Sequence, residues 1–405
     1  MKASFSSSVL VVGAGPVGLV AALALRAKGL PALVLEAEPK GRSRPGSRAT
    51  YLYQESLDVL DELAPGLGQS ISKAGVTWPM IRTTFQGRTV YERTFPPAPP
   101  GSFGAGVSQR EQEKLMYDAA VAAGVEFLWD SAVSEVESSE AGVVITTVDG
   151  RRLDTDYVIA ADGARSAVRN SLNIEMSGPR SDSTFIIVDV KEAEDDPLPL
   201  ARVFNYKHPA VGGRNVLMVP FRDGWRLDLQ TRPGDDIEAM QALDGVQRWV
   251  SAVIGPRYRD RIDWISSYRF NQAVAGSFVD PHNRIMLAGE AAHLFAPFGG
   301  GRGLNSGIPD AVAAAEAIAD AIAHGGDAAA RRTLQRAADT RRAAGHFNAA
   351  AAGQALEQME AIGMKNQITQ RVAAYAARYW EKPGRWLDGR VTSGTKDRFS
   401  ASTRF

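Results

Sequence analysis

A glycine-rich turn joins an apolar strand to an apolar helix near the start of the chain, and it constrains the fold more than any other feature. Residues 9–12 form a valine-rich run, Gly13, Gly15 and Gly18 follow as Gly-x-Gly-x-x-Gly, and a second apolar strand then ends at Glu36. Glycines let the backbone approach a pyrophosphate at the positive end of the helix, and the carboxylate can accept the hydroxyls of an adenosine ribose. The pattern predicts a Rossmann-like unit that binds a dinucleotide.

The apolar run over residues 9–25 has the general look of a signal peptide or a membrane span, because Lys2 precedes it. Three glycines and Pro16 interrupt the run, and Arg26 and Lys28 follow it directly, so a strand that turns into a helix explains it better. No other apolar stretch approaches the roughly 20 residues that cross a bilayer. We therefore expect a cytoplasmic protein without a membrane partner.

Charge and cysteine content exclude several classes of function. Lys and Arg number 46 and Asp and Glu number 46, which leaves no net charge, so no nucleic-acid partner is predicted. The chain contains no cysteine, which excludes disulfides, thiolate nucleophiles, cysteine-bound zinc and iron–sulfur clusters. The five histidines lack metal-ligand spacing, and no metal is predicted.

A second motif follows an apolar strand at residues 157–160. That strand leads into Asp162-Gly163, and Ser166 can cap the helix that comes next. Taken alone, the motif fits a plain turn as well as it fits a ligand site.

A third motif begins with Gly289-Glu290, after an apolar strand at residues 284–287, and continues through His293 into a loop with four glycines. The loop opens another helix. One acidic side chain and a row of backbone amides at a helix N-terminus predict a second polar ligand region.

Together and in this order, the three motifs resemble those of the FAD-dependent aromatic hydroxylases, the single-component flavoprotein monooxygenases typified by p-hydroxybenzoate hydroxylase. The resemblance covers about residues 9–311. It implies that the first motif binds the ADP half of FAD and that the Asp-Gly pair serves FAD and the nicotinamide cofactor. The late glycine-acid motif would hold the ribityl chain and the flavin ring, with His293 packed nearby rather than acting as a base.

The resemblance assigns cofactor contacts residue by residue. They are Gly13, Gly15, Pro16, Val17, Gly18, Glu36, Arg48, Gln109, Asp162, Gly163, Gly289, Glu290, Pro297, Gly303, Leu304 and Asn305. Glu290 departs from the family, which usually has Asp there; the charge is kept, but an extra methylene shifts the hydrogen bond to the ribityl chain.

The resulting fold class is α/β, with an inserted, mostly antiparallel β domain and C-terminal helices. We expect a discontinuous FAD-binding domain over residues 1–175 and 271–325 and a substrate-binding sheet over residues 176–270. The remaining residues, 326–405, would form a helical region with a polar, poorly ordered tail after Pro383. The substrate sheet should contain one helix, over residues 237–254, and a strand over residues 185–190. In the first domain the sequence predicts helices over residues 51–63 and 109–123 and short strands in the alternating segment over residues 81–91.

The implied function is a monooxygenase that uses NADH or NADPH, FAD and O2 to hydroxylate a small aromatic, phenolic molecule through a flavin hydroperoxide. The sequence identifies no catalytic acid or base. Tyr206, Trp225, Arg226 and Pro297 are candidate substrate contacts, and the protein would be a monomer or a homodimer. Two alternatives stay open: an FAD-dependent epoxidase or oxidase acting on a non-aromatic substrate, and a flavin-binding protein without turnover.

Overall fold

The structure is a computed structural model and describes residues 6–41, 50–95, 104–295, 301–326 and 328–388. Its strands are β1 (Ser6–Val12), β2 (Leu33–Leu35), β3 (Thr50–Leu52), β4 (Met80–Phe85), β5 (Arg88–Thr94), β6 (Ala105–Val107), β7 (Glu126–Leu128), β8 (Val133–Ser139), β9 (Gly142–Thr147), β10 (Arg152–Ala160), β11 (Met176–Ser177), β12 (Arg180–Lys191), β13 (Arg202–His208), β14 (Arg214–Phe221), β15 (Gly224–Gln230), β16 (Ile262–Asn271), β17 (Ala273–Ala275), β18 (Ile285–Leu287) and β19 (His293–Leu294). Its α-helices are α1 (Pro16–Ala27), α2 (Gln54–Leu63), α3 (Leu67–Ala74), α4 (Gln109–Ala122), α5 (Ala167–Ser171), α6 (Ile237–Gln241), α7 (Leu243–Ile254), α8 (Arg302–Ala323), α9 (Ala328–Glu360), α10 (Met364–Ala376) and α11 (Glu381–Leu387).

The first sheet has the strand order β7-β2-β1-β10-β9-β8, with β18 beside β10. β1 runs parallel to β2 and β10, and β10 runs parallel to β18. The central strands are apolar and buried, as expected where helices cover both faces of a parallel sheet. The Rossmann-like α/β architecture predicted from the sequence is confirmed.

All three sequence motifs leave this sheet at one edge. Gly13 follows β1 directly, Asp162 lies two residues beyond β10, and Gly289 lies two residues beyond β18. Parallel neighbours end at the same edge, which is where open α/β sheets bind their ligands. The topology therefore gathers three segments that are far apart in the sequence.

The second sheet has the strand order β16-β12-β15-β14-β13-β4-β5 and is antiparallel except where β13 runs parallel to β4. Five of its strands come from the predicted substrate domain. The other two, β4 and β5, come from residues 80–94, which the sequence assigned to the first domain. Their alternating pattern indicates strands but does not reveal the hydrogen-bonding partner, so the assignment of this segment is corrected.

Three local predictions need correction. The helix expected from Tyr51 begins at Gln54, because residues 50–52 form β3 and pair with β6. The helix expected over residues 237–254 is divided at Ala242, whose ψ of 148° is extended. The chain stays helical just beyond Pro383, where α11 buries Leu387 against the second sheet, and residues 389–405 lie outside the described ranges.

None of the helices in the described ranges is both long enough and apolar enough to cross a membrane.

Candidate cofactor and substrate site

The first glycine turn is too tightly packed to accept side chains. Gly13 has φ +101°, and its N–H donates to the Leu35 carbonyl at 2.7 Å. A Cβ on Gly13 would lie 2.4 Å from the Ala161 carbonyl oxygen, and a Cβ on Gly18 would lie 1.8 Å from the Gly13 carbonyl oxygen. Both positions therefore require glycine, which fixes the turn against the ends of β2 and β10.

The N-terminus of α1 is suited to an anion. Its N-cap, Gly15, has no side chain, Pro16 is the first helical residue, and the first turn contains no acidic residue. The first N–H groups of a helix have no partner within the helix, and the helix dipole places positive potential there. A pyrophosphate is the ligand that such a turn favours.

Glu36 holds this turn together. Its Oε2 accepts a hydrogen bond from the Ala14 N–H at 2.8 Å, and its Oε1 accepts one from the Glu38 N–H at 3.0 Å. Only 2% of the residue is exposed. Each carboxylate oxygen can accept more than one hydrogen bond, so contact with ribose hydroxyls stays a prediction.

Val17 joins the first motif to the third. A Cβ on Gly289 would lie 2.9 Å from a Val17 methyl carbon, and a Cβ on Gly307 would lie 2.5 Å from the same carbon. Gly289 has φ +62°, and its N–H donates to Asp310 at 3.2 Å. Small residues on both sides let the two turns form one continuous surface.

Asp162 carries a buried oxygen with no hydrogen-bond partner among the described residues, its Oδ1. Its Oδ2 accepts from the Val168 N–H at 3.2 Å. Burial raises the pKa of this carboxyl, while hydrogen bonds from Ser166 and the backbone oppose the shift. Ser166 caps α5, as predicted, by accepting from the Arg169 N–H at 2.9 Å, and Gly163 adopts φ +80°.

Arg169 ties the second motif to the third. One guanidinium nitrogen donates to the Ala291 carbonyl at 3.1 Å and the other to the Ala164 carbonyl at 3.0 Å. The residue is buried. It therefore fixes the Asp162 turn relative to the turn after β18.

The loop of the third motif leads into the N-terminus of a second helix. α8 starts at Arg302, with Gly301 as its N-cap at φ +63°, no side-chain cap and no acidic residue in its first turn. Gly303 has open space around its Cα, whereas Leu304 packs against the main core. Like α1, α8 presents unsatisfied N–H groups to an electron-rich ligand group.

The Asn305 side chain is engaged entirely within the protein. Its Oδ1 accepts from the Tyr53 N–H at 3.0 Å and from the Ser56 hydroxyl at 2.6 Å. Its Nδ2 donates to the carbonyl oxygens of Tyr51 and Gly301, each at 2.7 Å. Asn305 thus positions α8 against β3 and α2, and any contact it makes with the cofactor would come from its backbone.

The remaining predicted cofactor residues differ in their surroundings. As a residue, Glu290 is exposed. Desolvation of its carboxyl group by the surrounding protein nevertheless raises the pKa of Glu290, and His293 opposes this shift. Gln109 is half-buried and is the first residue of α4. Arg48 and Pro297 lie outside the described residues.

A buried charged network supports the third motif. His293 Nε2 lies 2.6 Å from Asp310 Oδ2, and Arg341 Nε donates to Asp310 Oδ1 at 2.8 Å. The three side chains are at most 3% exposed. Burial alone would raise the pKa of Asp310, but His293 and Arg341 outweigh it and hold that pKa below its usual range. The network fixes α9 to α8 and to the Gly289 turn.

Phe295 brings the third motif to the second sheet. Its ring stacks on His293, with centroids 4.4 Å apart, and packs against a cluster that includes Phe185, Phe204 and Tyr206. Phe185 pairs with Gln230 of β15, which places both on one face of the sheet. This inner face, defined by Phe185, therefore lies against the third motif at Phe295.

Arg226 belongs to the inner face, because it lies four residues from Gln230 on the same strand. Its Nε donates to Asp228 Oδ1 at 2.8 Å, and both residues are buried. Burial would lower the pKa of Arg226, but the carboxylates of Asp228 and Asp189 outweigh it and raise the pKa. Arg226 is therefore a permanent cation on this face.

The structure separates Trp225 from Arg226, whereas Tyr206 lies in the inner-face cluster with Phe185. Trp225 packs on the opposite face of β15, against α7, and its indole N–H donates to Glu192 at 2.6 Å. Adjacent residues of a strand point to opposite faces, so Trp225 and Arg226 cannot share a site. The Tyr206 hydroxyl donates to the Leu387 carbonyl at 2.6 Å, which directs it to α11.

Sequence reasoning missed the positioning roles of Arg169, Asp310 and Arg341. Arg169 and Asp310 stand inside the motifs but resemble ordinary polar residues of a helix. Arg341 lies in an Ala- and Arg-rich helix with many exposed arginines, and the sequence has no signal that distinguishes it.

These features fit a flavin dinucleotide. Two helix N-termini lack side-chain caps and acidic first-turn residues, so both can meet electron-rich groups. The Asp162 Oδ1 is a buried acceptor that a ligand hydroxyl or N–H can satisfy.

Comparison with known proteins agrees with this geometry. Residues 6–350 match the family described as an FAD binding domain. The chain is 30% identical to a para-nitrophenol 4-monooxygenase of a Pseudomonas species over 345 residues, which cover 82% of each protein. It is also 30% identical to a rifampicin monooxygenase of Streptomyces venezuelae over 324 residues, covering 75% of this chain and 62% of that protein.

Other relatives are longer than the matched part. A 3-(3-hydroxy-phenyl)propionate/3-hydroxycinnamic acid hydroxylase of Comamonas testosteroni is 29% identical over 75% of this chain and 51% of its own length. Among solved structures, p-nitrophenol 4-monooxygenase from Pseudomonas putida superposes with a TM-score of 0.76 at 23% identity, covering 96% of this chain and 99% of that one. That likeness establishes the fold.

Proposed function

The chain belongs to the FAD-binding family that contains the FAD-dependent aromatic hydroxylases, and from this membership we propose that it hydroxylates a small phenolic compound with NADH or NADPH and O2. The observation that carries the proposal is the meeting of three glycine-acid turns at one sheet edge, beneath the inner face of a second sheet. The relatives named as hydroxylases and monooxygenases support the reaction class.

We propose that each turn holds a different part of FAD. The N-terminus of α1 would bind the pyrophosphate, Asp162 would accept a hydrogen bond from the cofactor, and the N-terminus of α8 would orient the flavin ring. When bound, FAD supplies hydride acceptance from the nicotinamide and activation of O2 for oxygen transfer. The protein contributes position, exclusion of water and fixed charge.

The inner face of the second sheet would bind the aromatic substrate. Phe185 and Phe295 offer apolar surface, and Arg226 offers a fixed hydrogen-bond donor. Tyr268 of β16 pairs with Phe185 and therefore lies on the same face. Burial and the charge of Asp228 raise the pKa of Tyr268, while Arg226 opposes the shift, so the hydroxyl stays protonated at neutral pH. Tyr268 would therefore orient a substrate through hydrogen bonds rather than remove a proton.

The test measures NADH and NADPH oxidation by the FAD-loaded protein with a panel of nitrophenols and hydroxyphenylpropionates, while hydrogen peroxide and hydroxylated product are quantified. We expect one phenol to stimulate oxidation, with product formed in proportion to the nicotinamide consumed. Consumption that ends as peroxide with every phenol would contradict the proposal and favour a non-aromatic substrate. A protein that binds FAD but never oxidises nicotinamide would favour a role without turnover.

FAD binding is tested separately, with Asp162→Asn as the variant. Loss of the carboxylate should weaken FAD at least about tenfold, the effect of losing one hydrogen bond to a charged group. Val148→Asn, at an exposed hairpin position, is the control and should bind FAD normally.

We also propose a cytoplasmic location, where reduced nicotinamide is available.

A further inference from the structure

The outer surface of α10 exposes a continuous row of large apolar side chains. We call it the α10 stripe; it consists of Met364, Ile368, Val372, Tyr375 and Tyr379, with exposed fractions of 79%, 54%, 62%, 64% and 65%. The four members within α10 are four, four and three residues apart, which places them within an arc of about 80° on a helix with 3.6 residues per turn. Tyr379 lies in the turn after the helix, where its ring centroid is 5.7 Å from that of Tyr375. Water meets this surface along the whole length of the helix.

The opposite side of α10 already has its partner. Gln370, Ala374 and Ala377 are buried, and the two alanines join the apolar cluster of the second sheet. Packing inside the subunit therefore fixes the helix and leaves the α10 stripe facing outward. Ile362 and Trp380, 71% and 64% exposed, flank the stripe in the sequence, and the Trp380 ring lies 6.0 Å from that of Tyr379.

The exposed apolar side chains of the described residues are concentrated at this helix rather than scattered singly over the surface. Seven of the twelve large apolar side chains that are exposed in the described ranges lie between residues 362 and 380. Three of the seven are aromatic, with about 150–250 Å² of side-chain surface each, so the stripe and the two flanking residues expose on the order of several hundred Å². A stable interface buries about 800 Å² per partner as an apolar core with a polar rim, and this surface is large enough to form such a core.

We propose that the α10 stripe is a homodimer interface in which α10 packs antiparallel against α10 of a second copy, crossing near Val372. A two-fold axis requires a surface that complements itself. The stripe does so in the antiparallel direction, because its N-terminal end carries flexible Met364 and Ile368 whereas its C-terminal end carries Tyr375 and Tyr379. Met364 then meets Tyr379 of the other copy, a favourable sulfur–aromatic contact.

The first test measures the mass of the FAD-loaded protein by sedimentation at micromolar concentrations. We expect a dimer, and we expect Ile368→Glu to weaken it at least tenfold, since a charge would be buried at the interface. Val148→Glu, 73% exposed on a distant hairpin, is the matched control and should remain dimeric. FAD content and thermal unfolding of each variant separate a lost interface from a lost fold.

Single cysteines define the geometry, since the natural chain has none. Val372→Cys should form an intersubunit disulfide on mild oxidation, whereas Val148→Cys should not. Met364→Cys and Tyr379→Cys should cross-link when mixed and should not cross-link with themselves, which distinguishes antiparallel from parallel packing.

Three results would overturn the proposal: a monomer at all concentrations, a dimer that survives Ile368→Glu, or disulfides only between identical Met364→Cys copies. A further experiment measures flotation of the protein with vesicles of anionic phospholipid, because an exposed apolar helix can also lie on a membrane surface. A monomer that floats with these vesicles and loses that behaviour in Ile368→Glu would assign the stripe to a membrane instead. None of these readouts depends on the hydroxylase reaction.

Discussion

At the residue scale, Gly18 shows how backbone packing can fix a residue type without any ligand. Alanine at this position would place its Cβ 1.8 Å from the Gly13 carbonyl oxygen, which is backbone and cannot rotate away. We expect Gly18→Ala to lower the free energy of unfolding by about 3 kcal/mol, as for overpacked sites, and to weaken FAD at least about tenfold by opening the turn. Thermal unfolding and FAD fluorescence titration measure the two effects.

Gly276→Ala is the matched control for that substitution. The nearest atom to its Cβ would be 3.6 Å away, an ordinary contact, and its φ is not positive. Stability and FAD affinity should change little. Equal damage in both variants would mean that glycine removal, and not the Gly13–Gly18 contact, causes the effect.

The charge network of His293, Asp310 and Arg341 predicts a specific response to acid. The folded protein holds the pKa of Asp310 below the ordinary value of about 3.9 that it has when unfolded. Its stabilising contribution is therefore complete above about pH 3.9 and is lost as the pH falls through the lowered folded value. Arg341→Met removes the guanidinium that donates to Asp310, raises the folded pKa of Asp310, and should move the acid transition to higher pH.

At neutral pH the same Arg341→Met variant should lose about 3–5 kcal/mol, the usual result of breaking a buried ion pair. Urea unfolding from neutral pH down to about pH 3 measures both quantities. Arg336→Met, an exposed arginine of the same helix that contacts Thr333, should match the parent protein. If the free energy of unfolding fell with decreasing pH in the same way in Arg341→Met as in the parent protein, Asp310 would not titrate as described.

At the element scale, the periodicity of the sequence predicted which segments form helices and strands better than it predicted where they begin and end. The strand predicted over residues 185–190 is the central part of β12, and the helix predicted from Gln109 begins there. The division at Ala242 was not predicted, because the sequence around it remains favourable for a helix on both sides. The pairing of β4 with β13 was not predicted either, since alternation within a strand carries no information about its neighbour.

The sequence likewise predicted some features of the candidate site and not others. Turn glycines such as Gly13 and Gly18 could be identified because their backbone requirement excludes other residues. Asn305 was predicted to contact the cofactor, but the hydrogen bonds of its side chain to Tyr53 and Ser56, more than two hundred residues away, were not predicted, because sequence spacing cannot show them. Partners that meet only through tertiary packing therefore required the structure.

The alternation of β15 gives a prediction that separates its two faces. Arg226→Lys keeps the charge but loses the planar fork, so the KM for the phenolic substrate should rise about tenfold, the value of one charged hydrogen bond. Trp225→Phe should leave KM unchanged and lower stability by about 1–3 kcal/mol, because Glu192 loses its indole partner. Steady-state kinetics and thermal unfolding give both values. A KM change in Trp225→Phe alone would place the substrate on the α7 side.

At the scale of the whole molecule, the meeting of β1, β10 and β18 predicts how the cofactor stabilises the fold. A ligand at one hundred times its Kd adds about 2.7 kcal/mol to the free energy of unfolding. Because the proposed FAD site uses the turns after all three strands, hydrogen exchange should slow after β1, β10 and β18 and at the first turns of α1 and α8. Exchange in the outer strands of the second sheet should change less.

ADP provides the decisive comparison, since it carries the pyrophosphate and adenosine but lacks the flavin. At equal saturation, ADP should slow exchange at the turn between β1 and α1 and leave the N-terminus of α8 unchanged, whereas FAD should slow both. If ADP and FAD gave the same pattern, the third motif would have no direct part in cofactor binding. The packing of Val17 against Gly289 and Gly307 would then only transmit stability between two turns.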